Sequence, residues 1–235
     1  MMIKKEVVDL LLIDKVVGWT SFDVVAKLRS RITKKVGAKV KVGHAGTLDP
    51  LASGLLLVAV GQMTKRISTL AQCSKEYVGI IKLGATTRSF DREFPEENHS
   101  GYSHVTPDQI ERVVKDFLKK AYWQYPPMHS AIKLRGKSLY DYARKGQSVD
   151  GVTPRLVSIM KFEILDIEMP FVSFCVEVSK GTYIRALAND IGTLLGVGGY
   201  LYSLKRTKIG EYDLRKSFSV HGALSYIDST YGDTC

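Results

Sequence analysis

Cysteine is scarce and scattered. The chain has three, Cys73, Cys175 and Cys235, among 235 residues, with no Cys-x-x-Cys. That pattern supports neither a disulfide framework nor a zinc knuckle, and free thiols fit a reducing compartment. A long apolar run is missing too. The N-terminal stretch from Val7 to Ile13 is broken by Asp9, which is too short and too charged for a signal peptide or a membrane span. The His-x-Glu and Pro-Cys-x-x-Cys pair of a zinc deaminase does not occur. Gly136-Lys137-Ser138 looks like the tail of a phosphate-binding loop, but Ala131 stands where the first glycine is needed. Asp91, Glu93, Glu96 and Glu97 cluster in a polar stretch that reads as solvated, not as two carboxylates facing one glycosidic bond. No cluster has metal-ligand spacing, so no metal is expected.

What is abundant is positive charge. Lys and Arg number 34 against 24 Asp and Glu, a formal net charge of +10. Such a balance suggests nucleic acid or another anionic surface as partner, although a solvated basic surface would give the same count. Hydrophobic residues make up 45%, enough for a sizeable core. The most informative segment is Gly43-His44-Ala45-Gly46-Thr47-Leu48-Asp49-Pro50-Leu51-Ala52-Ser53-Gly54. One carboxylate, Asp49, sits among small residues and is stiffened by Pro50. Lys39 and Lys41 precede it, and the apolar run Leu55–Val60 follows it as a buried strand. A lone Asp on a stiff loop beside positive charge suits a nucleophile aimed at a phosphate-bearing substrate. Asp-Pro is also a common turn initiator.

Periodicity places strands at Leu10–Ile13, Leu55–Val60, Tyr77–Leu83, Val157–Met169 and Val172–Ser179. Ser21 is positioned to cap a helix over Asp23–Arg31. Thr106-Pro107-Asp108-Gln109 has the form of a capping box, ahead of the stripe Ile110, Val113, Val114, Phe117 and Leu118. Residues 86–104 read as a surface loop. Pro126–Gly151 reads as a long functional loop with one short helix near Ser138–Lys145. Ile184 to Leu195 carries a helical stripe that ends near Gly196. Strands and helices alternate without a βαβ rhythm, which argues for α+β with a mixed sheet.

Several segments together resemble the TruB family of tRNA pseudouridine synthases. The Gly43–Gly54 string is similar to its catalytic motif. Leu11-Leu12-Ile13-Asp14-Lys15 with Gly18-Trp19-Thr20-Ser21 resembles its N-terminal motif. Lys75-Glu76-Tyr77 resembles the segment that supplies an active-site tyrosine. Pro126–Lys133, with Gly136-Lys137 and Tyr140–Gly146, resembles the mobile RNA-gripping loop. Ser179–Arg185 resembles the segment whose arginine pairs with the catalytic aspartate. These stand in the family's order over roughly residues 10–215. Three departures accompany them. Val16 replaces a usual proline, Thr87-Arg88-Ser89 replaces a more acidic Thr-Asp-Thr, and Gly198-Gly199 stands where Ala-His is more common.

The resemblance implies a pseudouridine synthase fold: an α+β domain with a central, mixed, mainly antiparallel sheet, flanking helices and an RNA-binding cleft. It implies one catalytic domain over 1–235, with a mobile loop at about 126–151. No PUA domain is expected, since only Asp213–Cys235 follow Tyr212. The implied activity is isomerisation of uridine to pseudouridine at position 55 in the TΨC arm of tRNA, without a cofactor, by a cytoplasmic monomer. Asp49, Tyr77 and Arg185 would be catalytic. A guanidinium from Arg185 would favour the charged form of Asp49. His44, Lys15, Lys133, Arg135, Lys137, Arg144, Lys145, Lys205 and Arg206 would bind RNA. An RNA-binding or RNA-folding protein of the same fold, or pseudouridylation of another RNA, stays open at this point.

Overall fold

The structure, a computed structural model, describes residues 8–147 and 149–231. Val7, Ser148 and Cys235, which fall in segments read above, lie outside them. The chain divides into two compact units, one drawn from residues 1–76 and 205–235 and the other from 77–204.

The first unit opens with β1 (Val8–Lys15), α1 (Ser21–Val36), β2 (Val42–Ala45), β3 (Ala52–Gly61) and α2 (Ile67–Leu70). The chain leaves it along β4 (Lys75–Leu83). The second unit continues with α3 (Pro107–Lys119), β5 (Tyr122–Gln124), β6 (Lys133–Leu134), β7 (Lys137–Ser138) and α4 (Leu139–Arg144). It then adds β8 (Arg155–Val157), β9 (Ile159–Glu168), β10 (Phe171–Val178) and α5 (Ile184–Leu194). β11 (Gly199–Ile209) carries the chain back to the first unit, which closes with β12 (Tyr212–Asp213), β13 (Phe218–Ser219) and α6 (Val220–Tyr231).

In the first unit the strand order is β13-β1-β3-β11, with β2 on β3 and β12 on β11. β1 runs parallel to β13 and antiparallel to β3. β3 reads as a continuous apolar run because both of its faces are covered. Leu56, Val58 and Val60 face the core made with Val24, Leu28, Ile32 and Ile227 of α1 and α6. Leu55 and Leu57 face the other way, onto Ala45, Leu70 and Ile209. The cap of α1 stands one residue earlier than expected: Thr20, not Ser21, caps the helix, and it exchanges bonds with Asp23 in a capping box. The helix outruns the expected Asp23–Arg31 because Ile32 and Val36 extend its apolar stripe, and Gly37 ends it with φ of 67°.

In the second unit the order is β11-β4-β10-β9. β10 keeps the alternation seen in the sequence, with Val172, Phe174, Val176 and Val178 buried. α3 buries Ile110, Val114 and Phe117 and is capped by Thr106 with Gln109, as its sequence indicates, while Leu118 is exposed. The expected strand Val157–Met169 is two strands. β8 pairs with β5, and β9 pairs with β10. The α+β class and the mixed, mainly antiparallel sheet match the reading of the sequence. Among the described residues, no helix is long and apolar enough to cross a membrane.

Candidate active site

Asp49 lies on the six-residue loop between β2 and β3, in the first unit. The turn reading is true of its backbone: the Ala52 N–H donates to the Asp49 carbonyl at 3.1 Å. Almost every carbonyl along this loop has a fixed donor. Arg206 donates from Nη2 to Gly46 (3.0 Å) and from Nη1 to Thr47 (3.3 Å). Ser21 Oγ donates to the Leu48 carbonyl at 3.1 Å and accepts from the Leu48 N–H at 2.8 Å. The Gly18 N–H donates to Pro50 at 2.8 Å. Lys15 Nζ donates to Ala52 at 2.6 Å, and also to Val16 and Trp19. Arg206 Nε donates to Leu55 at 2.7 Å. A loop tied at so many points holds its carboxylate in one place, which is what preorganised chemistry needs.

These contacts correct two expected RNA contacts. Lys15 is 0% exposed and Arg206 is 1% exposed, so neither can meet a phosphate at the surface. β1 alternates with Leu11, Ile13 and Lys15 turned inward, and β11 alternates with Lys205 outward and Arg206 inward. Their cations are satisfied by backbone carbonyls instead. Burial pulls the Lys15 ammonium down to about 8, against the attraction of Asp49. Lys205 is exposed, as an RNA contact requires.

His44 lies on β2 at the entry to the loop. Burial, helped by the nearby Arg206 charge, pushes its pKa below the usual histidine value. The ring is therefore neutral near pH 7, and its buried Nδ1 has no hydrogen-bond partner among the described residues.

Tyr77 and Arg185 belong to the second unit. Tyr77 sits on β4, 8% exposed. Arg185 is in the first turn of α5. That helix has no side-chain cap of its own at Tyr183. Gln124, on β5, serves both sides of that residue: its Oε1 accepts from the Tyr183 N–H (2.8 Å) and its Nε2 donates to the Tyr183 carbonyl (3.1 Å). The Arg185 guanidinium is buried. Nη1 donates to the Ser89 carbonyl and Nη2 to the His129 carbonyl, both at 3.0 Å, and Nε lies 3.6 Å from Asp91 Oδ2.

Asp91, read from the sequence as part of a solvated acidic cluster, is buried at 6% exposure, and Gln124 was not singled out in the sequence. The 86–104 stretch is not simply solvated, because Thr87, Ser89 and Asp91 are buried. Asp91 Oδ1 accepts from Ser89 Oγ and from the Glu93 N–H. These residues are brought together by a turn, in which the Phe90 N–H donates to the Thr87 carbonyl at 3.2 Å and Phe90 has φ of 62°, and no strand or helix periodicity marks it in the sequence. Nothing local marks Gln124.

The expected gripping loop carries its cations outward. Lys133, Arg135 and Lys137 stand on the β6–β7 hairpin, where Arg135 and Gly136 both have positive φ (50° and 80°), as a two-residue turn demands. Arg144 and Lys145 end α4, with Arg144 over the Tyr140 ring at 5.6 Å. All five are exposed. Behind them, the buried His129 ring packs against Phe94 (4.7 Å) and Tyr140 (5.8 Å). Among the described residues no group of three or more His, Cys, Asp or Glu could hold a metal ion.

Comparison with known proteins bears on this arrangement. A family model described as TruB family pseudouridylate synthase (N terminal domain) matches residues 33–184. The chain is 49% identical over 219 residues to a tRNA pseudouridine synthase B of Chlorobium chlorochromatii, covering 93% of this chain and 85% of that protein. It is 46% identical over 212 residues to the protein of that name from Flavobacterium johnsoniae, covering 89% and 92%. Among solved structures, a chain of a Cbf5-Nop10-Gar1 complex is similar, with 30% identity and a TM-score of 0.69. So is a chain of an H/ACA RNP bound to a substrate RNA containing 2'-deoxyuridine, with 28% identity and a TM-score of 0.67. Each similarity covers 93% of this chain, which spans about half the length of those solved chains, 54% and 53%.

Proposed function

The chain belongs to the TruB family of pseudouridylate synthases, and from that membership we propose that it isomerises uridine to pseudouridine at position 55 in the TΨC arm of tRNA. The observation that carries the reading is the Asp49 loop. Its backbone is held from Gly46 to Leu55 by Arg206, Ser21, Gly18 and Lys15, in a chain of net charge +10.

The target base leaves its stack before chemistry. The C1′–N1 bond breaks, uracil turns, and a C1′–C5 bond forms. The proton lost from C5 is balanced by the one gained at N1, so the product is an isomer and no electrons are exchanged with a cofactor. Asp49 acts at C1′, as a nucleophile or as the negative charge that steadies the developing cation. Arg185, whose guanidinium is held by Ser89, His129 and Asp91, supplies the positive charge that favours the ionised form of the catalytic carboxylate. Tyr77 stacks on the extracted uracil. Neutral His44 occupies space vacated by the base without adding charge. The exposed cations of residues 133–145 and Lys205 neutralise phosphates. The enzyme works as a cytoplasmic monomer.

The test is pseudouridine mapping of tRNA incubated with the purified protein and with Asp49→Asn. The amide is nearly isosteric but is not a carboxylate nucleophile. Turnover is expected to fall at least a thousandfold while tRNA affinity stays within a few-fold. Substantial turnover by Asp49→Asn removes Asp49 from the mechanism. RNA binding without any modification by the unaltered protein would leave an RNA-binding protein of the same fold.

A further inference from the structure

The structure assigns to Arg206 the role of positioning residue for Asp49: its guanidinium fixes the backbone on both sides of the aspartate, and its main chain fixes the far end of the same loop. This inference rests on the reading of Asp49 given above.

Arg206 is the largest fully buried side chain among the described residues. A buried cation needs several hydrogen bonds to offset its desolvation, and all three found here go to carbonyls of one short segment. Gly46 and Thr47 come before Asp49, and Leu55 comes after it. Only a planar fork with donors at Nε, Nη1 and Nη2 can span both sides of a loop in this way. A lysine at this position has one nitrogen and lacks three donors spread in a fixed plane, so it does not reproduce the fork. The main chain of Arg206 adds a second constraint. A Cβ built on Gly54 would lie 2.3 Å from the Arg206 carbonyl oxygen and 2.7 Å from its nitrogen. The approach leaves no room for a side chain at 54, and Gly54 also has φ of 102°. At the other end, Gly46 has φ of 91°, and a Cβ there would sit 3.6 Å from Arg206 Nη1.

The same cation acts on its neighbours. Its charge adds to burial in holding His44 neutral, and it opposes protonation of Lys15. Arg206 touches neither substrate nor reacting atoms. It acts through the loop, so its removal should change where Asp49 sits and leave the outward RNA-binding cations untouched. Displacement of a reacting group by about 1 Å can cost on the order of 100-fold in rate.

The experiment compares Arg206→Lys, Gly46→Ala and Asp49→Asn with the unaltered protein. Single-turnover rate at saturating enzyme and tRNA Kd are measured well below each variant's Tm. Arg206→Lys keeps the charge and loses the fork. Gly46→Ala keeps Arg206 but strains the backbone at φ 91° and so moves the carbonyl that Arg206 holds, which makes it the deciding variant if the lysine variant does not fold. Both are expected to lose ten- to a hundredfold in single-turnover rate, with Kd within threefold and circular dichroism unchanged. A purely structural role would lower Tm and leave the rate of the folded fraction intact. A folded Arg206→Lys with the unaltered rate overturns the proposal, as does such a Gly46→Ala if the lysine variant does not fold. Turnover by Asp49→Asn overturns the reading beneath it instead, whatever the other two variants do.

Discussion

Ser21 and Leu48 hold each other by a reciprocal pair of bonds: the Leu48 N–H donates to Ser21 Oγ at 2.8 Å, and that hydroxyl donates to the Leu48 carbonyl at 3.1 Å. Both residues are buried. The first residue of α1 thus saturates the peptide groups of the residue just before Asp49. Ser21→Ala leaves a buried N–H and C=O unpaired, a loss of about 1–3 kcal/mol. A lower Tm is expected, with a reduced single-turnover rate and little change in tRNA affinity. An unchanged Tm would show that water replaces the hydroxyl.

The hairpin cations give a prediction about salt. Lys133 and Lys137 are exposed and face each other's strands next to the turn at Arg135-Gly136. If each neutralises a phosphate, replacing both with alanine should flatten the log–log salt dependence of tRNA binding by roughly 1.4–1.8, at about 0.7–0.9 per contact. Kd measured from 50 to 300 mM salt decides the point. A slope equal to that of the unaltered protein would place the RNA on another surface.

Asp190, on α5, makes a pH prediction. Burial raises its carboxyl to about 6, and the hydrogen bond from Tyr122 only partly opposes this. A folded-state value above the unfolded one means that the native protein binds the proton more tightly. The favourable contribution is therefore complete below about pH 4 and is lost as pH rises through 6. At pH 7.5 the buried carboxylate is a burden, so Asp190→Asn is expected to raise Tm there. The gain should shrink to nothing toward pH 4, where aspartic acid and asparagine are both neutral. A gain independent of pH would mean that packing, not ionisation, separates the two.

The sequence by itself determined what depends on local pattern. β10 was legible because one face is buried and the other is wet, so Val172, Phe174, Val176 and Val178 alternate with polar residues. α3 was legible because Thr106 and Gln109 close a capping box over four residues. The Asp49 loop stood out because small residues, a proline and flanking charges gather in one short stretch. Tertiary structure decided what depends on distant partners. Lys15 and Arg206 are cations in sequence, and a solvated cation is the ordinary outcome. They are buried because strand alternation turns them inward and because carbonyls at Ala52, Gly46, Thr47 and Leu55 are there to receive them. Gln124 and Tyr183 are 59 residues apart, and Arg185 and Ser89 are 96 apart. A hydrogen bond between such residues leaves no trace in the composition of either neighbourhood. Its partner is chosen by the path of the chain, and only the folded chain contains that information.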